Sequence, residues 1–410
     1  MSTAHHSEFH CEIEGEALNR YKHGGYHPIH IGDTLNGGRY TIHHKLGWGG
    51  YGTSWLAYDK RSVLNDTLTL LDWSQSFGRY AAIKVSVSEL SDSWEVEVHR
   101  HLAKSEFPHL GRDAIVDLFQ DFTLDGPNGT HSCLVTEVLG PSVPFATERF
   151  SDNRLPGRMA WQAIRDTTKA LALVHSKGIV YGGSCLGLLL FPAALTDILI
   201  DLHPGNVLFA GDKLTKQPHI DISKVIGRPV RADVHVTHYS ASLPKYMIEP
   251  ISFPPSSYRD GKPSFKLIDF GSSFFLGQTP PKMRCPLPFR APEAVMKRDW
   301  GMAADIWSLG CTIFSLVVGY PPFDSMLNTE KELLSEWIAS LGPLPEAWNT
   351  VDLFGDTGES SPNVHLAEYK VTPRTKARPI LKRQICRNGY AKRITTTKRS
   401  HTLRKAILKR

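Results

Sequence analysis

The stretch that most constrains this chain is Asp201-Leu202-His203-Pro204-Gly205-Asn206, followed by the apolar run Val207-Leu208-Phe209. Pro and Gly impose a tight loop, and the run behind them reads as a short buried strand. A carboxylate and an amide are therefore held at fixed separation in front of a strand. On these residues alone two readings stay open. The loop is a plain turn entering a strand, or it is a pair of polar groups set for phosphoryl transfer, with the carboxylate taking a hydroxyl proton and the amide holding a metal ion.

At 410 residues the chain is long enough for two domains or one large bilobal unit. Its six cysteines include no Cys-x-x-Cys pair, so neither a zinc site nor a disulfide framework is indicated and a reducing compartment is expected. Met1 to His10 is polar and His-rich, without the apolar core of a secretory signal. The net charge of +6 comes from one end: 15 of the 47 Lys and Arg lie from Lys370 onward, where there is no Asp or Glu. The preceding chain thus carries 32 basic against 41 acidic residues, a net of −9, and favours cationic peptides over nucleic acid. The basic tail alone would attract polyanions.

Taken in order, residues 1–36 read as a polar leader with local turns. Arg39 to Leu46 is strand-like and ends in Gly47-Trp48-Gly49-Gly50-Tyr51-Gly52, after which Thr53 to Tyr58 reads as a second strand. Such glycines let a hairpin backbone approach a triphosphate with its amides turned toward it, or mark a plain Gly-rich hairpin. Tyr80-Ala81-Ala82-Ile83-Lys84-Val85 is a buried-strand pattern broken by one Lys. A lysine among apolar neighbours is costly unless paired. Glu95, Val98, His99 and Leu102 fall at helical spacing, so Glu95 faces inward and is the expected partner, ahead of Glu97; a snorkelling surface Lys is the alternative. Ser62 to Phe77 is too long for a hairpin loop. Ser132 to Pro141 reads as a strand running into a linker, and Arg158 to Lys177 as a long helix before the strand Ile179-Val180-Tyr181. Gly183 to Ile200 is apolar, but Pro192 and Asp197 interrupt it and it is too short to span a membrane. Beyond the long Pro/Ser/His-rich segment 211–263, the strand Phe265-Lys266-Leu267-Ile268 ends in Asp269-Phe270-Gly271, a placement that suits a second metal ligand. Arg290-Ala291-Pro292-Glu293 precedes an almost wholly apolar helix, Trp300 to Val318, whose Asp305 either complements the helix dipole or ties down the catalytic loop. Glu332 to Leu341 is a further amphipathic helix.

Gly-rich hairpin, Ala-Ile-Lys strand, Glu helix, Asp-to-Asn loop, Asp-Phe-Gly, Ala-Pro-Glu and Asp-x-Trp-Ser-Leu-Gly occur in one order that resembles the eukaryotic protein kinase fold. Leu46-Gly47-Trp48-Gly49, Glu137-Val138-Leu139-Gly140, Leu243-Pro244-Lys245-Tyr246 and Leu341-Gly342-Pro343-Leu344-Pro345 are similar to the SR-protein kinases as found in fungi. The resemblance covers Arg39 to about Leu353. It implies an α+β, bilobal fold: a leader (1–38), a small β-rich N-lobe with one main helix (39–140, segment 62–77 inserted), a larger, mostly helical C-lobe (141–353, segments 183–200 and 211–263 inserted) and a basic, disordered tail (354–410). It further implies a monomeric Ser/Thr protein kinase of the cytoplasm, the nucleus or both, using ATP and Mg2+ on Arg/Ser-rich protein substrates, with no membrane and with nucleic acid only through the tail. Carried over by position, Asp201 is the catalytic base and Lys84, paired with Glu95, grips the α- and β-phosphates. Leu46, Gly47, Gly49, Gly52 and Ala82 contact the nucleotide; Glu137 and Leu139 offer hinge backbone groups to adenine with Thr136 behind it; Asn206 and Asp269 are the Mg2+ ligands. The segment from Gly271 to Arg290, Thr279 included, shows no Arg-paired phosphosite, which implies activity without activation-loop phosphorylation.

Four features depart from the family. Ser54 replaces the usual Val over adenine, and His203 stands where the loop usually has Lys, so γ-phosphate stabilisation would depend on a largely neutral imidazole. Asp-Leu-His-Pro-Gly-Asn also resembles the loop of aminoglycoside- and choline-type kinases, against which Ala-Pro-Glu and Asp305 argue. Deleting Gly183 to Ile200 restores the family spacing before Asp201, so this segment reads as a retained intron, and Ser62 to Phe77 more weakly so. After Leu353 no helices complete the C-lobe. These departures keep a second function open: a pseudokinase or interaction protein with a disrupted site.

Overall fold

The computed structural model describes residues 9–60, 78–90, 94–104, 110–150, 152–182, 202–211, 222–255, 262–278, 287–296, 298, 300–323 and 329–345. The chain divides after Leu353 into two units, and the second, 354–410, lies outside the described residues. So do Asp201, Thr279 and the inserted segments 62–77 and 183–200.

Six strands form one antiparallel sheet: β1 (Thr34–Leu35), β2 (Tyr40–Gly49), β3 (Gly52–Asp59), β4 (Arg79–Ser86), β5 (Leu118–Gly126) and β6 (Gly129–Thr136), in the order β1-β2-β3-β4-β6-β5. The two-residue period of β4 sends Ala81, Ile83 and Val85 into one core with Ile42, Trp55, Cys133 and Val135, and turns Ala82 and Lys84 to the opposite face. Helix α1 (Glu95–Ala103) buries Glu95, Val98, His99 and Leu102, the one-face spacing of a 3.6-residue turn, and leaves Glu97 exposed.

A second region is built around α2 (Gly157–Ser176) and α3 (Met302–Val318). Both pack against small antiparallel pairs: β7 (Ile179–Val180) with β10 (Phe274–Phe275), and β8 (Val207–Phe209) with β9 (Phe265–Leu267). Helix α3 stops at Gly319, whose φ of 94° lies in the left-handed region that a side chain resists. Helix α4 (Glu330–Leu341) begins at Thr329, whose side chain caps the Glu332 N–H, and buries Leu333, Leu334 and Trp337. Among the described residues no helix is long and apolar enough to cross a membrane.

The leader is more than local turns. Phe9–His10 pairs with His235–Val236 of the 211–263 segment, and Tyr21 and Tyr26 are buried with Val87, Val234, Leu243 and Met247. Ile29 and Leu35 join the sheet core. The 211–263 segment is likewise no plain connection: Arg231–Asp233 pairs with Tyr246–Ile248, and Ile248 reaches the sheet core. Two stretches that look polar in isolation therefore bury each other's few apolar residues.

Candidate active site

Lys84 sits on the face of β4 opposite the sheet core, with its ammonium engaged from two sides. Its Nζ lies 2.9 Å from both carboxylate oxygens of Glu95 and 2.9 Å from Asp269 Oδ1. The pairing with Glu95 is the one helical spacing predicts; the contact with Asp269 is tertiary and has no local signal. Burial opposes Lys84's charge, but the Asp269 and Glu95 carboxylates outweigh it and hold its pKa above the ordinary lysine value. Burial raises the Glu95 carboxyl despite Lys84, whereas for Asp269 the Lys84 charge and the Gly271 N–H overcome burial and keep it below the usual range.

Asp269 has φ 62°, a left-handed conformation that costs a non-glycine residue about 1 kcal/mol or more. Its contacts hold it there: Oδ1 accepts the Gly271 N–H at 3.3 Å as well as Lys84. Asn206 is brought to the same place by register. Val207 pairs with Leu267, and the Ile268 N–H donates to the Asn206 carbonyl at 3.1 Å, so Asn206 and Asp269 flank the end of one strand pair. Asn206 Nδ2 donates to the Tyr181 hydroxyl at 3.3 Å, which in turn donates to the Ile268 carbonyl. With the nitrogen so used, the amide's oxygen is the atom that would face a metal ion. A carboxylate and an amide oxygen are the hard donors Mg2+ takes, so these residues fit that ion.

The glycines separate into two kinds. A Cβ on Gly52 would meet the Val85 carbonyl at 2.5 Å, so its glycine is required by strand packing. On Gly47 and Gly49 a Cβ would meet nothing within 4 Å, and neither has a positive φ. No neighbour explains these two, and the open space beside them leaves room for a bulky anion such as a triphosphate.

Several further residues fix the surroundings. Thr136 pairs with Ala82 and Leu118 at the end of β6, and its hydroxyl donates to the Glu137 carbonyl at 3.2 Å. The Glu137 carboxylate accepts from the Asp117 N–H at 2.9 Å and from Lys266 Nζ at 2.5 Å, which fastens the linker before Leu139. Leu46 is half-buried against the cluster containing Leu56 and Val138. His203 is buried, and burial pushes its imidazole down to about 4, with Asp269 only partly opposing. Its Nδ1 accepts the Gly205 N–H at 3.0 Å, so its proton is on Nε2. His203 is thus a neutral loop cap rather than a cation, and only Nε2–H is left to donate outward.

Sequence reasoning valued Tyr181 only as a strand residue and left Asp305 between two roles. Asp305, buried in α3, accepts the Tyr181 N–H at 2.8 Å and the Gly182 N–H at 2.9 Å, and meets His175 Nε2 at 2.8 Å. Thr312, two turns along the same helix, donates to the Leu202 carbonyl at 2.8 Å. Both flanks of the 183–201 segment are therefore tied to α3, which is the tethering role. The Tyr181 ring also meets Phe270 edge-on at 5.3 Å, and Phe270 meets His99 of α1 at 4.9 Å, an aromatic column joining the two regions. An Asp in an apolar helix is the sequence signal for this.

The family model described as "Protein kinase domain" matches residues 258–401, which continues past Leu353, where the sequence reading ends the kinase-like region. "Protein kinase dsk1" of Schizosaccharomyces pombe is 22% identical over 86% of this chain and 76% of its own length. "Serine/threonine-protein kinase SRPK" of Physarum polycephalum is 24% identical over 83% of this chain and 75% of its own length. "SRSF protein kinase 3" of Homo sapiens is 32% identical over 40% of this chain and 27% of its own length.

Proposed function

We infer, from the premise that this chain is a eukaryotic protein serine/threonine kinase resembling the SR-protein kinases, that it transfers the γ-phosphoryl group of ATP to Ser or Thr within Arg/Ser-rich segments. The observation that carries the reading is Lys84 Nζ, held 2.9 Å from Glu95 and from Asp269 at the strand end shared with Asn206. In this reading Lys84 neutralises the α- and β-phosphates while Glu95 fixes its direction. Gly47 and Gly49 leave the phosphates room, and Leu46, Ala82, Thr136 and the Glu137–Leu139 backbone hold adenine. Asn206 and Asp269 hold Mg2+, which supplies positive charge to the phosphates. Asp201 takes the proton of the acceptor hydroxyl, and His203 donates Nε2–H beside it. Little covalent work falls to the protein; positioning and charge neutralisation carry the rate.

The preference for Arg/Ser-rich acceptors rests on the relatives named for SR proteins and on the net charge of −9 before Lys370. The test is γ-phosphate transfer by the purified chain to an Arg-Ser repeat peptide and to a peptide whose arginines are replaced by glutamine, with Asp201→Asn as control. Transfer to the first well above both the second peptide and the control is expected. Activity equal to that of Asp201→Asn would mean a pseudokinase.

A further inference from the structure

The leader makes a contact with the Gly-rich hairpin that the kinase reading does not use. Arg20 donates from its guanidinium to the Gly50 carbonyl, and the Tyr26 hydroxyl donates to the Gly49 carbonyl at 2.9 Å. The next carbonyl, that of Tyr51, accepts the Val87 N–H at 2.9 Å. Three consecutive carbonyls at the hairpin tip are thus held from outside the hairpin. In a trans peptide the C=O and the following N–H point in opposite directions. Fixing the Gly49 and Gly50 carbonyls therefore turns the N–H groups of Gly50 and Tyr51 away from the leader.

The two donors are built as a unit. The Tyr26 N–H donates to the Arg20 carbonyl at 3.1 Å, closing a turn in which Gly24 has φ 85° and a Cβ on Gly25 would lie 1.8 Å from that carbonyl. The guanidinium lies 4.8 Å from the Tyr26 ring centroid and bonds its hydroxyl at 3.1 Å. The turn is anchored in its own right: the Ser88 and Glu89 N–H groups donate to the Gly25 and Gly24 carbonyls, and the Gly24 N–H to Asn128. A buried Glu16–Lys45 ion pair, with the Tyr21 hydroxyl on Glu16, fixes the leader to β2.

We propose that Arg20 and Tyr26 are positioning residues for ATP: by holding the Gly49 and Gly50 carbonyls they set the Gly50 and Tyr51 amides in advance to receive the triphosphate. The inference rests on the kinase reading above. It concerns phosphate recognition only, so adenine binding is independent of it.

The experiment measures affinities for ATP and for adenosine by titration calorimetry on the full chain, with KM for ATP, kcat and the thermal midpoint alongside. The variants are Tyr26→Phe, which removes one hydroxyl, and Arg20→Met, which keeps the apolar stem. A lost hydrogen bond of ordinary strength gives ATP affinity and KM weaker by about five- to tenfold, with adenosine affinity and kcat unchanged. Unchanged ATP affinity in both variants overturns the proposal, and so does an equal loss for ATP and adenosine, which would mark a merely structural role. In either case a wild-type chain that binds ATP leaves the kinase reading standing. A wild-type chain that binds neither ligand overturns the kinase reading and the proposal together.

Discussion

At the residue scale, Lys84 shows how far a local pattern reaches. A single cation in an apolar strand demands an anion, and helical spacing names Glu95, so that pair is legible from residues 80–102 alone. Asp269 on the same ammonium is not, because 185 residues separate the two and only the folded register brings them together. Removing the cation should therefore expose the second carboxylate as well as the first. Lys84→Met leaves two carboxylates facing each other in a buried site, and transfer to the peptide should fall about 100-fold or more. Stability at neutral pH should fall by about 3–5 kcal/mol, as for a broken buried pair. The sign of the pH effect follows from like-charge repulsion, which raises a folded-state carboxyl pKa above its unfolded value. Stability tied to such a group returns as pH falls and is lost as pH rises. Denaturant unfolding should thus show the deficit of Lys84→Met against wild type shrinking from pH 7 to pH 5; a constant deficit would mean the carboxylates do not interact.

At the level of elements, α3 acts as the bar to which the chain on either side of the 183–201 segment is tied. Asp305 and Thr312 hold the chain just before and just after the 183–201 segment, and seven residues of helix separate them by only about 10 Å. An Asp buried in an apolar helix signalled that something polar must face it, but the sequence offered no way to choose the backbone of Tyr181 and Gly182 over the helix dipole. Asp305→Ala leaves two buried N–H groups without their acceptor, at about 1–3 kcal/mol each. Because Lys84 and the Gly-rich hairpin sit on other elements, the variant should lose kcat while KM for ATP stays near wild type. A rise in that KM with kcat intact would remove Asp305 from the loop's support. The same geometry predicts the effect of excising 183–200, because the stretches on either side of the segment are already held on one helix. The excised chain should fold with an unchanged or higher thermal midpoint and at least wild-type transfer, and an insoluble or inactive product would show that the segment is needed.

Across the whole molecule, the part least legible in the sequence is the packing of residues 9–38 against 231–248. Tyr21, Tyr26 and Ile29 follow neither a two-residue nor a 3.6-residue period, and among the residues they bury with, Val234, Leu243, Met247 and Ile248 lie some 200 positions downstream. Tertiary packing also draws histidines from distant segments out of water. His27 lies 4.9 Å from His131, and His99 is closed in under Phe270. Burial lowers the pKa of His27 to about 4, with His131 adding to it, and that of His99 to about 4, with Lys84 and Arg112 adding; His30, His43, His44 and His131 are lowered by burial as well. These side chains are neutral when folded and take up protons near pH 6.5 when unfolded. A depressed histidine pKa means that the unfolded state binds more protons, so stability is complete above pH 6.5 and is lost as pH falls from there toward 4. The limit for a fully buried His with this displacement is roughly 3 kcal/mol. Chemical unfolding at pH 7.5, 6 and 5 should therefore show a steep decline well above the range where carboxylates titrate. His99→Leu, close in volume and unable to take a proton, should remove about one histidine's share of that slope while leaving the His27 share in place. Stability equal at pH 7.5 and pH 5 would mean that these rings are solvated rather than buried between the leader, the sheet and α1.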